Sequence, residues 1–141
     1  FDHEQPSLED FITHVMRESR TDFWVLMSTL VYMSRLIESH VPTECPMPMT
    51  QHQLFLAALI VAAKTLDDGA CQNGRWCRVS LMSVGNSWFW LPQEEVNSAE
   101  RQLIRLLEWH LLIREDHISF ELRNFQEKYR ESPRHTRGLS P

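Results

Sequence analysis

Residues 52–68 read HQLFLAALIVAAKTLDD, and ten consecutive positions within them, Leu54 to Ala63, are apolar. A helix that is apolar on every side cannot lie on a surface, so it must be enclosed by other helices. Ala57, Ala58, Ala62 and Ala63 let neighbouring backbones approach, and the leucines, Phe55 and Ile60 fill the gaps between them. A bilayer span needs about 20 such residues, so the run belongs in a protein core. Lys64 ends it, one of only two lysines in a chain with twelve arginines. A cation there complements the negative end of the helix dipole and reaches back to water.

Working outward, the breaks in the apolar pattern divide the chain into helices. The four glycines and seven prolines all fall between apolar-periodic blocks of helical length. Ser7 with Asp10 resembles a capping box before Phe11, Ile12 and Val15. Thr21 and Asp22 precede Phe23, Met27, Leu30, Val31 and Ile37, which share one face. Thr50 with Gln53 forms a second box and opens the central helix. Pro92, followed by Glu94 and Glu95, suits the positive end of another, with Val96, Ala99, Leu103, Leu106 and Leu107 as its inward stripe. A shorter helix is predicted near Arg75 to Met82, and a sixth from His117 to Arg130. No strand pattern follows Asn73-Gly74. The expected class is all-α, with four helices wrapped around one central apolar helix and a C-terminal helix after this five-helix unit.

Composition narrows the function. With 141 residues, 43% of them apolar, one domain with a substantial core is expected. A formal charge of −5 disfavours nucleic acid, whose binding domains are usually basic. Neither a membrane span nor a secretory leader is predicted. Cys45, Cys71 and Cys77 are odd in number and include no C-x-x-C pair, which fits reduced thiols in the nucleus or cytoplasm. Cys71 and Cys77 have no common zinc spacing. None of the seven histidines forms an i, i+4 pair suited to metal. Asp67 and Asp68 are adjacent and read as a solvated helix end. Neither a catalytic residue, nor a metal, nor a cofactor is expected.

HQLFLAALIVAAKTLDD, then RWCRVS at 75–80, then EVNSAERQLIRLLEWHL at 95–111 together resemble the cyclin box. The likeness covers roughly residues 11 to 112 and is greatest to the fungal phosphate-pathway type of cyclin. LVYMSRLI at 30–37 matches the second-helix pattern, and Asn73-Gly74-Arg75-Trp76 an Asn-x-x-Trp segment. Ser34 departs from the aspartate that many members carry before Arg35, a residue that braces the bundle. The resemblance implies a cyclin-box fold over residues 7–112, between a leader at 1–6 and a helical extension at 113–131. It implies a non-catalytic regulatory subunit that binds and activates a cyclin-dependent kinase and directs its substrate choice. By position, Lys64 and Glu100 would bond to kinase backbone, surrounded by Val61, Thr65, Ile104, Trp109 and Leu111. The rival reading is a cyclin-fold transcription-factor or adaptor module that binds no kinase.

Two stretches stand apart. Trp88, Phe89 and Trp90 read either as a plug for the bundle or as an exposed apolar patch. Residues 132–141, SPRHTRGLSP, read as a flexible tail in which Ser132 and Ser140 are minimal proline-directed phosphorylation sites.

Overall fold

The computed structural model describes residues 4–38, 49–66, 72–108 and 110–131. Cys45, Cys71, Asp67, Asp68, Trp109, Ser132 and Ser140, named above, lie outside these. Among the described residues there are six helices: α1 (Leu8–Ser19), α2 (Phe23–Glu38), α3 (Gln51–Leu66), α4 (Asn73–Ser80), α5 (Gln93–Leu106) and α6 (Glu115–Glu131). Between α4 and α5 lies a small hairpin, β1 (Met82–Val84) and β2 (Ser87–Phe89).

The capping residues act as their spacing predicts. Ser7 Oγ accepts from the Asp10 amide at 3.1 Å, and Asp22 Oδ1 accepts from Val25 at 2.9 Å. Thr50 and Gln53 form a full reciprocal box. The Gln53 amide donates to Thr50 Oγ1 at 3.1 Å, and the Thr50 amide donates to Gln53 Oε1 at 3.0 Å.

Helix α3 is the axis of the fold. From Phe55 to Ala62 every residue is buried, and α1, α2 and α5 pack directly on it. Phe11 and Val15 of α1, Trp76 and Val79 of α4, Leu91 just before α5, and Val96 of α5 enclose Phe55, Leu56, Leu59 and Ile60. Opposite, Tyr32 and Leu36 of α2 meet Ala57, Ala58, Val61 and Ala62, together with Ala99, Leu103 and Leu107. Helix α6 lies outside this arrangement and packs on α2 through Ile118, against Met27 and Val31.

The hairpin is the departure from a purely helical reading. Met82 pairs with Phe89, Ser83 with Trp88 and Val84 with Ser87. The two-residue turn places Gly85 at φ 59°, in the region an L-residue avoids, at the first turn position where hairpins favour glycine. Ser80 clasps the hairpin base: its hydroxyl donates to the Cys77 carbonyl at 2.6 Å and accepts from the Leu91 amide at 2.9 Å. The aromatic trio divides between the two readings it allowed. Phe89 turns inward against Phe11 and His52, with ring centroids 5.8 Å away from each, whereas Trp88 and Trp90 are 62% and 53% exposed. His52 Nε2–H donates to the Pro6 carbonyl at 2.8 Å, which ties the segment before α1 to the start of α3.

Candidate functional site

Lys64 occupies the last turn of α3, and Glu100 lies midway along α5. The packing of α3 on α5 brings the two together. Lys64 Nζ donates to both carboxylate oxygens, at 2.8 and 3.2 Å. The lysine is 40% exposed and the glutamate 14%. Asn73, the first residue of α4, completes the cluster. Its side-chain amide donates to Glu100 Oε1 at 2.8 Å and to Asn97 Oδ1 at 2.6 Å. Three helices therefore converge on one carboxylate, with both amide protons of Asn73 in use. The glutamate is held in place, while the ammonium remains at the edge of solvent with a donor to spare.

The surrounding residues fall into two groups. Val61 is 3% exposed and belongs to the core, where it supports the site from beneath and presents no surface of its own. Ile104 and Leu111 are half-buried against the same cluster, so each keeps apolar area accessible beside the charged pair. Thr65 is exposed, but its hydroxyl donates to the Val61 carbonyl at 2.7 Å and lies 3.3 Å from the Tyr32 hydroxyl.

Helix α2 fixes the segment that carries Leu111. Arg35 donates to the His110 carbonyl at 2.7 Å and the Leu112 carbonyl at 2.8 Å, and Tyr32 donates to the Leu111 carbonyl between them at 2.7 Å. Three successive carbonyls are thus captured by two side chains one turn apart on one helix. Arg35 also reaches His117 Nδ1 at 3.3 Å, the same nitrogen that accepts from the Arg114 amide at the start of α6. Burial pushes the Tyr32 phenol above its ordinary range, partly offset by the Thr65 hydroxyl and the Arg35 charge.

Asn73 and Asn97 lie within quoted motifs, yet spacing alone assigns them no role. The available signal is that both flank Trp76 and Val96, which are buried, so their amides are drawn toward the interior where they need partners. The bond between Tyr32 and Leu111 joins segments too distant in sequence for any local pattern to reveal. Among the described residues, no group of three or more His, Cys, Asp or Glu is gathered to hold a metal. Cys77 is half-buried, and desolvation pushes its thiol up despite the neighbouring Arg78 charge. No helix among the described residues is long and apolar enough to cross a membrane.

Comparison with known proteins gives the arrangement its context. PHO85 cyclin-1 of Saccharomyces cerevisiae is 30% identical over 126 residues, covering 89% of this chain and 43% of that protein. PHO85 cyclin-2 of the same yeast is 31% identical over 129 residues, covering 89% of this chain and 39% of that protein. The G1/S-specific cyclin pas1 of Schizosaccharomyces pombe is 34% identical over 80 residues, 55% of this chain and 20% of the relative. The chain thus spans less than half the length of these curated relatives. No solved structure matches it significantly. A family model described as Cyclin matches residues 3–111, which takes in α1 to α5 and the charged cluster. The all-α bundle around α3 is accordingly a cyclin fold, and the chain belongs to the cyclin family.

Proposed function

We propose that the chain is a non-catalytic regulatory subunit that binds and activates a cyclin-dependent kinase and directs its choice of substrate. The observation that carries this reading is the half-exposed Lys64, paired with a carboxylate that two further helices hold in position. An ammonium offers donors and a carboxylate acceptors, so together they satisfy unpaired carbonyls and amides on a partner's backbone. Ile104 and Leu111 supply the apolar area around that polar centre, and Trp109 is assigned to the same surface only by its position in the cyclin-box pattern. Docked there, a mobile kinase helix is held inward, and its glutamate is placed against the lysine that phosphoryl transfer requires. The regulatory chain shifts the kinase population and does no chemistry itself.

Two of the similar yeast proteins carry PHO85 in their names, so Pho85 is the kinase to test first. Isothermal titration of the chain against it should show Lys64→Ala and Glu100→Ala each losing roughly 2–5 kcal/mol, the usual cost of stripping one partner from a buried charged contact. Circular dichroism checks the fold of each variant. Wild-type affinity in both variants would overturn the assignment. Failure of the wild-type chain to bind any cyclin-dependent kinase would favour a cyclin-fold adaptor.

A further inference from the structure

At the opposite end of α3 from Lys64 lies a groove of about 260 Å³ between the hairpin and the first turns of α3 and α5. Trp88, Phe89, Trp90 and Leu91 give it an apolar lining, and Gln53 and the exposed Glu95 are among its polar residues. Both tryptophans stand more than half exposed, while Phe89 between them is turned into the core. Gln53 uses both ends of its side chain: its carbonyl accepts from Thr50, and its amide donates to Glu95 Oε1 at 3.3 Å. Glu95 therefore faces the groove with one oxygen lightly held, and among the described residues it has no ion-pair partner. Among the described residues, no lysine, arginine or histidine lines the groove.

We propose that this groove docks an arginine-bearing segment of a partner protein, its guanidinium stacked on an indole face and forked onto the Glu95 carboxylate. Indole faces carry negative potential and attract cations, and a planar guanidinium stacks on them while keeping its edge free for a carboxylate. A lysine ammonium satisfies only one of those two demands at a time. The chain's own charge of −5 favours a basic visitor over an acidic one. The site does not depend on the kinase assignment. Gln53 and Lys64 are separated by about 16 Å along α3 at 1.5 Å per residue, so one short segment cannot occupy both places.

The test uses the intact chain and the peptide acetyl-Gly-Leu-Arg-Gly-amide, with its citrulline and lysine counterparts, followed by nuclear magnetic resonance of the indole N–H groups. The arginine peptide should shift the Trp88 and Trp90 signals selectively. The citrulline peptide should bind at least about fivefold more weakly, since it keeps the shape and loses the charge. Glu95→Gln should weaken the arginine peptide about threefold or more, and the double variant Trp88→Ala/Trp90→Ala should abolish its binding. Both tryptophans are exposed, so these variants keep the fold, which circular dichroism verifies. Absence of shifts up to about 10 mM peptide, or equal binding of the citrulline form, overturns the proposal. A chain ending at Glu131 excludes the internal rival. If removing residues 132–141 moves the indole signals and tightens peptide binding, the occupant is this chain's own Arg134 or Arg137, and the partner reading fails.

Discussion

Arg35 and Lys64 are both basic, both partly exposed, and both lie in the last turn of a helix, α2 and α3 respectively, yet their surroundings give them opposite roles. Arg35 directs its guanidinium at the carbonyls of His110 and Leu112 and at His117, all in its own chain, and its face lies 5.9 Å from the Tyr32 ring. A planar fork matched to two fixed carbonyls is fully employed in holding the segment between α5 and α6. Among the described residues Lys64 meets only Glu100, which Asn73 already holds without it. A point charge on a flexible stem beside water gives up little when it moves to another acceptor. A cation is structural when its own backbone consumes its donors, and available when it is one of several ligands to a group that others keep in place.

The widest test of this contrast is stability. Arg35→Met should cost about 2–3 kcal/mol in urea unfolding, because two charge-assisted bonds to backbone carbonyls are lost. Arg35→Lys should recover less than half of that, since an ammonium cannot serve both carbonyls in one geometry. Full recovery by lysine would mean that charge alone matters and that the fork does not. Lys64→Met should change stability by less than about 1 kcal/mol, as exposed ion pairs do. A double-mutant cycle with Glu100→Gln should give a coupling of similar size that shrinks as salt is raised. A coupling above about 2 kcal/mol, insensitive to salt, would make Lys64 structural as well and remove the contrast.

The two regions also differ in how far the sequence discloses them. The enclosed α3 follows from ten apolar residues with alanines where neighbours approach, and its start follows from Thr50 and Gln53, because capping acts across three residues. Lys64 and Glu100 are identified through resemblance to the cyclin box; position alone gives Lys64 the role of a helix-end charge and gives Glu100, midway along α5, no role at all. The carbonyls captured by Tyr32 and Arg35 are backbone groups, which no side-chain pattern displays. The hairpin escapes detection for a related reason. Strands of three residues are too short to show alternation, and Trp88 on the outside looks as apolar as Phe89 on the inside. Asn86 beside Gly85 offers a turn signal, but the flanking runs are too short to distinguish a hairpin from a loop.

The narrowest test, confined to alkaline pH, concerns Tyr32, which shares the capture of the 110–112 segment with Arg35. Its phenol is buried, and desolvation raises its pKa above the ordinary 10.0, against the smaller lowering effects of Thr65 and Arg35. A raised value for an acid means that the folded chain favours the neutral hydroxyl, which is also the form that donates to the Leu111 carbonyl at 2.7 Å. The corresponding stability is fully present below the unfolded pKa. It is lost as pH rises from that value through the folded one, because the unfolded chain releases this proton first. The window is therefore alkaline, and neutral and acidic conditions leave it untouched. Urea midpoints measured in steps from neutrality into the alkaline range should fall more steeply for the wild type than for Tyr32→Phe. All other titrating groups are common to the two, so they cancel in the difference. At neutral pH the phenylalanine variant should be weaker by about 1 kcal/mol, for the lost bond to Leu111. Parallel slopes for the two proteins would show that the hydroxyl is already solvated, and would leave Arg35 alone holding the segment.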